Sequence, residues 1–69
     1  DRRANLESTR EREKDLAKER RRLKDVLQGE KDPAEHIRLE TEIRATTDRL
    51  AIAAQQSALA EQMVASASI

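Results

Sequence analysis

Gly29 and Pro33 are the only glycine and the only proline in a chain of 69 residues, and both fall in one stretch, Gln28-Gly29-Glu30-Lys31-Asp32-Pro33-Ala34-Glu35. Gly29 is suited to the position just past a helix C-terminus, where the missing Cβ tolerates the left-handed conformation that satisfies the last carbonyls. Asp32 reads as an N-cap, Pro33 as the first helical residue and Glu35 as the third, which makes Asp-Pro-Ala-Glu a capping-box variant. The pattern predicts helix 1 over about 3–28, a turn at 29–32 and helix 2 over about 33–65, roughly 40 and 50 Å long. A connection this short between long helices favours an antiparallel pair. One helix kinked at Pro33 is the alternative, disfavoured because stop and restart signals flank the proline. The expected fold is therefore all-α: an antiparallel, coiled-coil-like two-helix hairpin, assembled with a partner or with itself.

The side-chain inventory narrows what such a hairpin can do. There is no Cys, so disulfides, thiolate catalysis and structural zinc are excluded. The absence of Phe, Tyr and Trp removes the stacking platforms that hold single-stranded nucleic acid or cage cations. One glycine cannot build a phosphate-cradling loop. Fourteen cations balance 14 acids, leaving no net field toward nucleic acid or membrane. The 41% charged content, with abundant Ala, Glu, Lys, Leu and Arg, belongs to long helices. Of 25 apolar residues 11 are alanine, so the core is thin and a lone monomer is expected to be marginal.

Helix 1 carries a sparse seam. Leu6, Leu16, Leu23 and Leu27 occupy a and d positions of one heptad frame, while Glu13 and Arg20 hold intervening a positions. Glu7, Glu11, Asp15 and Glu19 each precede a cation by three residues (Arg10, Lys14, Lys18 and Arg22), a spacing that makes them neighbours on a solvated helix face. Lys18, Arg20, Arg21, Arg22 and Lys24 form the one basic cluster, interrupted by Glu19 and Asp25, and nucleic-acid binding is the third-ranked reading. Residues 1–28 hold ten cations and seven acids, whereas residues 30–69 hold four and seven. Opposite charges suit helices lying side by side, weakly and subject to salt screening.

The composition changes at Leu50. Beyond it the only charge is Glu61, and Leu50 to Val64 is apolar on more than one helical face. Gln55, Gln56, Glu61 and Gln62 interrupt it, so it is not a membrane span. In the expected register Leu27 meets the region of Ile37, Leu23 that of Glu40 and Leu16 that of Thr47, which sets Leu50–Leu59 against residues 4–13, where Ala4 and Leu6 are the apolar residues. Helix 1 is then expected to leave this segment uncovered, with Leu50, Ile52, Ala53, Leu59, Met63 and Val64 as partner-binding residues. An alanine-rich helix end fraying in solvent is the plainer alternative. His36, the only histidine, has no second His or Cys beside it and reads as a surface residue; no metal or cofactor site is expected. Glu40 and Glu42, two apart on a helix, point away from each other and make no catalytic carboxylate pair.

The stretch Leu23-Lys24-Asp25-Val26-Leu27-Gln28-Gly29-Glu30-Lys31-Asp32-Pro33-Ala34-Glu35-His36, followed by a helix ending in Ile/Leu/Ala-rich sequence, resembles the small co-chaperones of type III secretion needle subunits, the YscE/PscE type. The resemblance is strongest over about Leu23–Ala54. It implies a helical hairpin with a Gly-containing turn and a non-enzymatic, cytoplasmic protein. Its partners would be a helical-repeat chaperone and the needle subunit that the complex keeps soluble. The alternative is a structural coiled-coil segment that homo-oligomerises. The first residue is Asp rather than Met, which accords with a segment of a longer protein.

Overall fold

In the computed structural model, which describes residues 2–67, the chain forms two helices, α1 (Arg2–Gly29) and α2 (Pro33–Ala67). At 1.5 Å per residue they are about 42 and 52 Å long. The molecule measures 55 × 14 × 14 Å, the length of one helix and the width of two, so they lie side by side as an antiparallel hairpin.

The turn is built differently from expectation. Gly29 closes α1 but does not enter the left-handed region. The last turn tightens instead, with Glu30 N–H donating to the Leu27 carbonyl at 3.1 Å. The Glu30 carboxylate then accepts from the backbone N–H groups of Lys31 at 3.1 Å and Asp32 at 3.0 Å, which fixes the turn. Asp32 is the N-cap of α2, its Oδ1 accepting from Ala34 N–H at 3.1 Å and its carbonyl from His36 N–H at 2.9 Å. The reciprocal arm of a capping box is not made. Glu30 already satisfies the Asp32 N–H, and the Glu35 carboxylate is held by Arg38 at 2.8 Å. Because a Cβ on Gly29 would meet nothing within 4 Å and its backbone is one that alanine adopts, Gly29→Ala should stabilise the hairpin. The expected gain is about 0.5–1 kcal/mol, read as a higher melting temperature by circular dichroism. A loss would show that the turn needs a flexible residue after all.

Burial follows a strict alternation of three- and four-residue steps on both helices. In α1 the inward positions are Leu6, Thr9, Glu13, Leu16, Arg20, Leu23 and Leu27, and Glu30 of the turn continues the spacing. In α2 they run His36, Leu39, Ile43, Thr46, Leu50, Ala53, Ser57, Ala60 and Val64. Such spacing is the seam of a coiled coil. Among the described residues the buried apolar side chains are Leu23 at 5%, Leu39 at 3% and Ala53 at 1% exposure. Leu16 lines a groove with Arg49 and Ala53, Leu27 with Glu40 and Ile43, and Asn5 with Ala60. The buried Leu39 adjoins Glu40, in the region that the expected register sets against the buried Leu23.

The polar seam residues are accommodated by small partners. Glu13 and Arg20 are half-buried, and facing α2 residues in this part of the seam include Thr46, Ala53 and Ser57, all buried. Small side chains leave room for the aliphatic stems of Glu and Arg to lie across the seam while their charged ends reach water. The Thr46 hydroxyl donates to the Glu42 carbonyl at 2.8 Å, which removes the cost of burying it.

Candidate protein-interaction surface

The seam divides the six expected contact residues into two groups. Ala53 is buried and Leu50 and Val64 are half-buried, all three facing α1. Ile52, Leu59 and Met63 face away from it, 56%, 61% and 52% exposed. Leu50 is covered because Glu13, Lys14 and Ala17 line a groove with it, so charged stems shelter apolar surface that a count of apolar partners leaves open. The expectation that α1 leaves the whole segment bare is thus corrected to one strip.

That strip has helical spacing. Ile52, Gln56, Leu59 and Met63 are separated by four, three and four residues and so share one face of α2. The other apolar faces beyond Leu50 are alanine, with Ala51, Ala54, Ala58 and Ala65 exposed. Two grooves between the helices flank the strip. One is lined by Arg12, Leu16, Arg49, Ile52, Ala53 and Gln56, the other by Arg2, Asn5, Gln56, Leu59, Ala60 and Met63. Sequence reading missed Arg2, Asn5, Arg12, Arg49 and Gln56 as parts of this surface. Extending the seven-residue frame through Ile43, Leu50 and Val64 separates seam from strip and would have found the α2 members.

Charge is distributed unevenly along the hairpin. Toward the turn, Arg38 bridges Glu35 at 2.8 Å and Glu42 at 2.7 Å, while Arg22 Nη2 lies 2.6 Å from Glu19. Arg22 also lies within the field of Glu42, tying the two helices together. Of the four ion pairs expected along α1, Glu19–Arg22 forms. Arg10 turns across the hairpin to Glu61 at 3.5 Å rather than to Glu7. All these groups are exposed, and such pairs contribute little each. The hydrogen bond from Arg22 holds the Glu19 carboxyl below the usual carboxylate range, and the Arg22 charge adds to this. A depressed folded-state pKa gives stability that is present above the unfolded value, about 4.3, and is lost as pH falls through the lower folded value. Arg22→Gln should therefore lower the melting temperature slightly at pH 7 and not at pH 2. An equal difference at both pH values would remove the ion pair as its cause.

Arg20 turns into the seam and Arg22 is bound by Glu19, leaving Lys18, Arg21 and Lys24 exposed. His36 is half-buried, its Nδ1 2.9 Å from Glu40 Oε1. Among the described residues no group of three or more His, Cys, Asp or Glu side chains could hold a metal ion, and no helix is long and apolar enough to cross a membrane.

The fold and surface define a two-helix antiparallel coiled-coil hairpin with an uncovered apolar strip along the second half of α2, and with Val26 and Ile37 exposed near the turn. Comparison with protein-family models, curated proteins and solved structures finds no match to the chain.

Proposed function

We propose that the hairpin is a non-enzymatic, protein-binding co-chaperone or assembly adaptor whose strip Ile52, Leu59 and Met63 covers apolar helical surface on a partner. The observation that carries this reading is the contrast between inside and outside. Two leucines and one alanine are the buried apolar residues among those described, while three large apolar side chains stand more than half exposed on one face. A partner on that face would bury apolar area at roughly 25 cal/mol per Å² and stabilise the thinly cored hairpin by mass action.

The likeness of the Leu23–His36 stretch to the YscE/PscE co-chaperones supports a more specific form of the proposal. In it the hairpin acts in the cytoplasm with a helical-repeat chaperone to keep a type III secretion needle subunit soluble. Capture from the native source by the intact hairpin, with wild type and Leu59→Asp compared side by side, tests the general reading. A helical-repeat protein recovered by wild type and lost with Leu59→Asp supports the specific one. Identical recovery by both removes the strip from the proposal. The competing reading, a homo-oligomeric structural coiled coil, draws on the seam being extended over both helices. Sedimentation of the isolated hairpin over a concentration series separates them, because discrete dimers or tetramers favour the structural role.

A further inference from the structure

The strip also carries information about the partner's charge. The charged side chains lining its two grooves are Arg12 and Arg49 at one end and Arg2 at the other, with no carboxylate among the lining residues. Arg12 and Arg49 are exposed on facing helices, share one groove, and make no ion pair or hydrogen bond among the described residues. Arg22 takes Glu19, Arg38 takes Glu35 and Glu42, and Arg10 takes Glu61, whereas Arg21 and Arg44, like Arg12 and Arg49, make no such pair among the described residues. Arg12 also borders a groove on α1 with Glu7, Glu11, Asp15 and Glu19, but on the side of the strip the two cations lie without a carboxylate, a surface that a carboxylate-bearing ligand complements.

The shape of the strip specifies the rest. Ile52, Gln56, Leu59 and Met63 run about 16 Å along the α2 axis, and the grooves beside them lie between helices. Knobs spaced by three and four residues fit a helix laid along the hairpin, as a third strand of a bundle does. We propose that this face docks an acidic amphipathic helix, apolar along one stripe, with carboxylates placed to meet Arg12 and Arg49 at one end and Arg2 at the other. This rests on the reading of the hairpin as a protein-binding adaptor and names the chemistry of what it binds. A second copy of the chain fits less well. Pairing this face with itself in register brings these arginines against arginines, a like-charge contact with no acid in the two grooves to relieve it.

The test uses three synthetic helices that share one leucine stripe at four- and three-residue spacing and differ only in whether glutamate, lysine or glutamine flanks it. Their affinity for the intact hairpin is measured by fluorescence anisotropy at low and high salt. The glutamate helix should bind at least about tenfold tighter than the lysine helix, a gap that narrows with salt. The preference should reverse in an Arg12→Glu/Arg49→Glu hairpin, whose seam is untouched. Equal affinity for all three helices would overturn the inference while leaving the strip as a binding site. Binding by none would overturn the inference and the adaptor reading together. A dimer formed by the hairpin alone and abolished by Leu59→Asp would assign the face to a second copy instead.

Discussion

Leu39→Ala, and Leu23→Ala separately, should leave the isolated hairpin largely unfolded at 25 °C. Truncating a buried leucine to alanine costs about 2–5 kcal/mol, the sum of lost transfer energy and an incompletely collapsed cavity. Typical stability is about 0.05–0.15 kcal/mol per residue, so a chain of this size holds roughly 3–10 kcal/mol in total. These two leucines are the only large apolar side chains in the buried class among the described residues. Helical signal at 222 nm during thermal unfolding is the measurement. A melting temperature equal to wild type would mean that the seam contributes little and that the helices stand on their own propensity. The same loss should be partly reversed by a saturating partner, since ligand that binds only the folded state shifts the equilibrium back.

Aspartate at Leu59 and aspartate at Leu50 should give opposite outcomes, although both residues lie in the same apolar segment. Leu59 is 61% exposed and has water around it already, so Leu59→Asp should leave the melting temperature within about 0.5 kcal/mol of wild type in stability terms. Partner affinity should fall at least a hundredfold, because the new carboxylate would be desolvated in the centre of the interface. Leu50→Asp replaces a half-buried seam leucine by a carboxylate beside Glu13, so that apolar burial against α1 is lost and a second acid enters the seam. It should unfold the hairpin and lose partners for that reason alone. Melting curves recorded beside binding isotherms separate the two effects. Binding retained by Leu59→Asp, or stability retained by Leu50→Asp, would mean that the division of α2 into seam and strip is misplaced.

Much of the architecture is legible in local signals. Asp32 and Pro33 start α2 because an N-cap acceptor and a preorganised φ are properties of single residues, and they act the same way in any fold. The Leu6, Leu16, Leu23 and Leu27 frame is likewise visible, since heptad spacing in sequence becomes a face through helix geometry alone. The stop after α1 was misread for an equally local reason. Glycine tolerates a left-handed C-cap without requiring one, and Glu30 supplied a competing acceptor for the turn's N–H groups.

The composition and order of residues were enough to specify two long helices, their boundaries near Gly29 and Pro33, and an excess of apolar side chains beyond Leu50. Which of those side chains face α1 and which face outward depended on the register between the helices. That register is set by how the leucines of α1 interlock with Leu39, Ile43 and Leu50, and by whether the stems of Glu13 and Arg20 can lie over Thr46, Ala53 and Ser57. Both are packing relations between residues far apart in the chain, with energies that exist only once the helices touch. The pairing of Arg12 with Arg49 across one groove is a product of the same register, and so is the character of the surface they border.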